Sequence, residues 1–113
     1  MAIHSLKLGS TTYKILPASC NSVTSVANIN TDFGIVKATI SANASFSLAN
    51  TMIAGRSIHV LIYNSGSSTI TVTLPSAAPY VNLNKDSISI PAKKYGEINV
   101  ISDGTTMYTR CAY

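Results

Sequence analysis

Tyr95-Gly96-Glu97-Ile98-Asn99-Val100-Ile101-Ser102 runs through Asp103-Gly104 into Thr105-Thr106-Met107-Tyr108-Thr109-Arg110. Asp-Gly between two β-rich runs is a strong hairpin signal, because a two-residue type I′ turn needs positive φ at both positions. A loop of that length sets Val100 opposite Met107 and Ile98 opposite Thr109 on one face. On the other face it sets Asn99 opposite Tyr108 and Glu97 opposite Arg110, an opposite-charge pair worth about 0.2–1 kcal/mol. One face is mostly apolar and the other is not. Turn chemistry and alternation therefore agree on a terminal antiparallel pair.

Outward from that pair the same period of two recurs. Ser57-Ile58-His59-Val60-Leu61-Ile62-Tyr63 is the strongest strand, followed by Ser65-Gly66-Ser67 and then Thr69-Ile70-Thr71-Val72-Thr73-Leu74. An odd-length turn containing Gly66 pairs Ile62 with Ile70, Val60 with Val72 and Ile58 with Leu74, a continuous aliphatic stripe. Ile35–Ile40, Ser45–Leu48 and Ser87–Ile90 read as shorter strands, the last stopped by Pro91, while Pro75 to Asp86 reads as a long loop. Near the N-terminus, Ile3–Leu8 and Thr11–Leu16 form a second hairpin across Gly9-Ser10. Between them and the main body, Ala18 to Asp32 is mostly Ser, Asn and Thr with isolated Val23, Val26 and Ile29. The spacing of the three is compatible with a helical turn, but the polar content and a length unusual for a plain connection favour an extended arm or loop that wraps, reaches or binds.

No segment sustains an apolar repeat at i, i+3 and i+4, so no long helix is expected. The predicted fold is all-β: a small antiparallel β-sandwich or jelly-roll-like domain with an N-terminal hairpin and an extended arm. Residues 1–113 form a single domain, with the hairpin and arm in 1–32 and the main sandwich in 33–113.

Charged residues make up 11% of the chain, against about 25% in a typical domain. Ser and Thr take their place, mean hydropathy is positive, and the formal charge of +4 reflects scarce acids. The eight cations are scattered, with only Lys93 and Lys94 adjacent, whereas a nucleic-acid binder concentrates them on one face. No nucleic-acid partner is expected. A small, weakly charged domain tends to associate, and its surface is expected to be covered by neighbours in an oligomer or lattice. The N-terminus lacks the apolar run of a signal peptide, and no apolar stretch is long enough for a membrane helix. Cys20 and Cys111 lie far apart; two reduced thiols are the favoured reading and a disulfide between them the alternative.

The catalytic inventory is thin. The only acids are Asp32, Asp86, Glu97 and Asp103, of which Asp103 has a turn role and Glu97 a cross-strand partner. His4 and His59 lack Cys or acid neighbours at metal-ligand spacing, and Ser65-Gly66-Ser67 lacks the nucleophile-elbow pattern. No phosphate-binding or dinucleotide motif occurs. The expectation is a non-enzyme with no catalytic residues, no cofactor and no metal site.

Several runs have a likeness to known proteins: Ile53–Asn64, Ile70–Pro75, Ile88–Pro91 and Ile98–Tyr108, together with Lys7-Leu8-Gly9-Ser10-Thr11-Thr12-Tyr13. This pattern resembles small all-β modules of tailed-bacteriophage virion proteins, such as capsid auxiliary (decoration) proteins, head fibres and tail-fibre tips. The likeness is one of strands and turns and transfers no functional residue. It implies a virion structural protein on the capsid surface, made in the host cytoplasm. Its partner would be the major capsid protein or another virion protein, and a homo-oligomer, a trimer on a symmetry axis, is favoured. The competing reading is a fibre-tip module that binds host glycans through loops such as 75–86. The chain reads as a short whole without a shaft, which counts against a fibre tip. Among the rings able to stack on a sugar or line a subunit contact, Tyr80 in its long loop stands out. The candidate contact residues are Val23, Val26 and Ile29 on the arm, with Tyr80 and Tyr113.

Overall fold

The computed structural model describes residues 5–8, 11–14 and 20–112. Eleven strands follow in chain order: β1 (Ser5–Leu8), β2 (Thr11–Lys14), β3 (Asn21–Val23), β4 (Ile35–Ile40), β5 (Ala44–Ser45), β6 (Ser57–Asn64), β7 (Ile70–Thr73), β8 (Tyr80–Asn82), β9 (Ser87–Ile90), β10 (Tyr95–Ser102) and β11 (Met107–Ala112). No helix occurs among the described residues. β1 and β2 pair as the expected hairpin, Leu8 opposite Thr11 and Ser5 opposite Lys14. The remaining strands make a six-stranded sheet, β3-β4-β6-β10-β11-β8, and a three-stranded sheet, β5-β7-β9.

These two sheets are built from arches. After β4 the chain turns a corner and enters the small sheet as β5; after β6 it does the same as β7. β4 lies parallel to β6 and β5 parallel to β7, so one arch stacks on the other in the same sense. A third arch, β9 to β10, stacks in the opposite sense, with β9 antiparallel to β7 and β10 antiparallel to β6. This is the repeat of a short β-solenoid. The all-β expectation holds. The antiparallel jelly-roll connectivity does not, because β3, β4 and β6, β5 and β7, and β8 and β11 pair in parallel as stacked arches.

Alternation explains the core. Ile58, Val60 and Ile62 of β6, Ile98 and Val100 of β10, Val72 of β7, and Ile88 and Ile90 of β9 are all buried. Burying an aliphatic side chain of this size contributes about 1.5–3 kcal/mol each. The two layers come closest at Gly96, where a Cβ would sit 2.8 Å from Ile90 Cδ1 and 2.9 Å from Ile88 Cδ1.

Four sequence expectations need correction. β6 and β7 do not pair as a hairpin: they occupy different sheets. The predicted stripe does exist on each strand, but both stripes line the common core. The 103–104 turn has four loop residues instead of two, and the register slides by two, placing Val100 opposite Thr109, Ile98 opposite Cys111 and Glu97 opposite Ala112. The cause is Asp103, whose Oδ1 accepts from the backbone N–H of Thr105 (2.9 Å) and Thr106 (2.7 Å), closing a wider turn. Within Pro75 to Asp86 the chain forms β8, parallel to β11. There Asn84 continues the pairing with its side chain, donating to Cys111 O (2.8 Å) and accepting from Cys111 N (2.9 Å).

The arm is the fourth. β3 lies parallel to β4, and Ile29 bridges Leu48 of the neighbouring arch. Residues 21–29 thus form one more rung, with Val26 and Ile29 at 0% and 2% exposure. Val26 and Ile29 are core plugs, and half-buried Val23 packs against the same core.

Cys20 and Cys111 are both free. Four strand spacings, roughly 19 Å at ~4.8 Å each, separate β3 from β11. A disulfide needs Cα atoms within about 7 Å. Burial raises the Cys111 thiol pKa above its ordinary value.

Candidate functional site

The fold leaves the two outer faces unlike. The small sheet turns Ser45, Thr71, Thr73, Ser87 and Ser89 outward, hydroxyls throughout. The large sheet instead presents Tyr95 (58% exposed), Ile101 (52%), Val81 (45%) and Ile35 (42%), four of the six exposed large hydrophobic residues described. Half-buried Leu61, Tyr63 and Tyr108 lie among them.

The register sets these side chains in rows across the strands. Ser57, Ile101, Tyr108 and Val81 form the first row. Ile35, His59, Asn99 and Arg110 form the second. Lys37, Leu61, Glu97 and Ala112 make the third, and Thr39, Tyr63 and Tyr95 the fourth. The Tyr63 and Tyr95 rings are 4.7 Å apart at centroid and tilted by 40°. His59 Nδ1 lies 2.6 Å from Asn99 Oδ1 and 3.4 Å from Glu97 Oε1, joining the middle rows by polar contacts.

The loops at the Ser57 end fix the rim of this face. Ser102 Oγ donates to Met52 O (2.7 Å), and Gly55 N donates to Ser102 O (2.8 Å), tying the 50–56 loop to β10. Arg56 reaches Thr31 O through Nε and Nη2, over a hollow of about 210 Å³ also lined by Asp32, Asn50 and Ile53. Tyr108 donates to Asp103 Oδ2 (3.3 Å). The backbone N–H groups of Thr106 and Thr105 hold the Asp103 pKa down at about 2. At the far end, a more open hollow of about 420 Å³ is walled by Thr24, Thr39, Ser41, Asn43 and Ser65, without a charged group.

Among the described residues, no three of His, Cys, Asp and Glu gather as a metal site. The arrangement offers area, rings and a few charges, which is chemistry suited to contact.

The predicted contact residues are placed elsewhere. Val26 and Ile29 lie in the core, and half-buried Val23 packs against it. Tyr80 also packs against the core, its hydroxyl oxygen accepting from Leu48 N at 3.2 Å. Tyr113 lies outside the described residues. The structure does not bring these five together as a surface. Ile35, Val81, Tyr95 and Ile101 are the residues sequence reasoning missed. Their signal was large apolar side chains at the parity opposite to the core stripe, on β10 at the positions flanking Glu97 and Asn99.

No known protein family, curated protein or solved structure matches this chain.

Proposed function

We propose that this chain is a non-enzymatic structural subunit of a tailed-phage virion, an auxiliary protein that binds the lattice of the major capsid protein. One observation carries the contact part of this reading. The large sheet collects exposed aliphatic and aromatic side chains on one face while the small sheet carries only hydroxyls. Exposed large apolar side chains gathered on one face of a small protein mark a surface that a partner covers. The virion part rests on the sequence resemblance.

The mechanism is linkage. A subunit that binds only the assembled shell adds its binding free energy to that state and to no other. The dispersed acids fit such a role, since Asp103 serves a turn and Glu97 a cross-strand cluster. The test is co-sedimentation with shells of the phage that encodes the chain, followed by heat-release assays of shells with and without it. Binding and a raised release temperature support the reading. Failure to bind shells, together with selective glycan-array binding, would replace it with host recognition.

A further inference from the structure

We infer that Asp103-Gly104 is a site of spontaneous backbone modification: isoaspartate forms there when the turn between β10 and β11 opens, and the closed turn holds the reaction off. The site is independent of whatever covers the large sheet.

The chemistry is intramolecular and needs only water. The backbone nitrogen of Gly104 attacks Cγ of the protonated Asp103 carboxyl. The N–Cγ bond forms, the Cγ–OH bond breaks, and the hydroxyl leaves as water with the proton of the nitrogen, closing a succinimide ring. Water then adds to one of the two ring carbonyls. Cleavage of N–Cγ restores aspartate. Cleavage between the nitrogen and the backbone carbonyl carbon sends the chain through Cγ and leaves that carbonyl carbon as a free carboxylate. Gly104 favours the attack, because no Cβ crowds its nitrogen.

The closed turn engages both reacting groups elsewhere. Gly104 N donates to Ser102 Oγ (3.0 Å), and Ser102, 2% exposed, is itself fixed by donation to Met52 O (2.7 Å). Asp103 Oδ1 accepts from Thr105 N (2.9 Å), Thr106 N (2.7 Å) and Thr105 Oγ1 (3.1 Å), and Oδ2 accepts from the Tyr108 hydroxyl (3.3 Å). These donors favour the ionised carboxylate, whereas only the protonated group loses its oxygen as water. A pKa lowered from 3.8 to about 2 thins that reactive form more than tenfold. Behind the turn, a Cβ on Gly104 would lie 3.2 Å from Ala54 Cβ, so the 50–56 loop backs the peptide plane.

Opening is nevertheless within reach. Asp103, Gly104 and Thr105 are exposed, and such a turn opens at a small fraction of the global unfolding free energy. Each opening frees nitrogen and carboxyl together. The product is a trap: isoaspartate adds one carbon to the backbone and displaces the carboxylate, so the bonds to Thr105 and Thr106 cannot reform as they were.

Ageing the full chain at neutral pH, folded and in guanidinium chloride, with peptide mapping for isoaspartate, tests the inference. The unfolded chain should modify residue 103 ahead of Asp86, which precedes Ser87, and the folded chain should do so roughly tenfold or more slowly. Ser102→Ala frees Gly104 N and should speed the folded-state reaction at 103 several-fold with Asp86 unchanged, which separates turn opening from global unfolding. If that variant does not fold, Thr105→Val with Tyr108→Phe removes only side-chain bonds to the carboxylate and should have the same effect. A folded chain that modifies residue 103 at the unfolded rate overturns the inference. So does an unfolded chain that leaves residue 103 intact, or a folded variant of either kind that ages as the wild type does.

Discussion

Asn64 ends β6 at a position whose parity points into the core, and it is fully buried. Its Nδ2 donates to Ser68 O (2.7 Å) and Ile90 O (2.9 Å), and its Oδ1 accepts from Gly66 N (2.9 Å). Its backbone donates to Lys94 O (3.0 Å) and accepts from Lys93 N (2.9 Å). One residue thus holds the corner between β6 and β7 to the corner between β9 and β10. Asn64→Ala removes three side-chain bonds of about 1 kcal/mol each from a buried site. The expected loss is about 3 kcal/mol. With an unfolding entropy of about 2.1 cal/mol/K per residue over 113 residues, that lowers Tm by about 12 °C. Scanning calorimetry of Asn64→Ala beside Ser67→Ala, an exposed change in the same corner, measures it. Ser67→Ala should be within about 0.5 kcal/mol of wild type. A fall of only a degree or two in Asn64→Ala would refute the reasoning that this amide ties the arches. Asn64→Asp adds a check by pH. A buried carboxylate facing two carbonyls has its pKa raised, so the variant should lose stability as pH climbs above the ordinary carboxylate value.

Three further outcomes follow from the same packing. Gly96→Ala drives a methyl into Ile88 and Ile90, which are too buried to give way, and should cost about 1–3 kcal/mol in denaturant titration. Ile29→Ala should cost about 2–5 kcal/mol, as a cavity in a core rung does; a reaching arm would lose nothing in the isolated chain. Asp103 has its folded pKa depressed from 3.8 to about 2, so its contribution is present above 3.8 and fades as pH falls toward 2. Asp103→Asn keeps an acceptor for the turn but cannot titrate, and its melting temperature should fall less than the wild type's across that window.

Parity was legible and partnership was not. Every aliphatic at the inward positions of 58–62, 70–74, 88–90 and 98–100 is buried, as alternation demands. But alternation is indifferent to what lies alongside. The stripes of β6 and β7 satisfy each other as hairpin neighbours or as opposite walls of a core, and nothing in either strand decides between them. The terminal turn shows the same degeneracy on a smaller scale. A slip of one residue would expose the core face, whereas the slip of two that occurs keeps Ile98 and Val100 inward and changes only their partners. The choice fell to Asp103, whose side chain caps Thr105 and Thr106. Likewise the polar content of 18–32 hid a rung, because two buried aliphatics, Val26 and Ile29, with Val23 packed against the core, suffice to make one. Asn64 left one trace: an amide at an inward position where a strand meets a Gly-containing corner.

The mixed pairing of the large sheet bears on why its outer face is apolar. Parallel ladders are found almost only where both faces are covered, whereas antiparallel ones commonly keep one face in water. β3, β4 and β6 run parallel here, and outward on β4 and β6 stand Ile35 and Leu61. β10 and β11 are antiparallel, and their outward residues include Glu97, Asn99 and Arg110. A solvent face needed only the second kind of residue. That Tyr95 and Ile101 interrupt the polar set on β10, in the same rows as Tyr63 and Tyr108, extends the apolar area past the parallel strands to the centre of the sheet. The apolar residues thus stand in the two end rows, Ile101, Tyr108 and Val81 at one end and Tyr63 and Tyr95 at the other, with the polar cluster of His59, Asn99 and Glu97 between them.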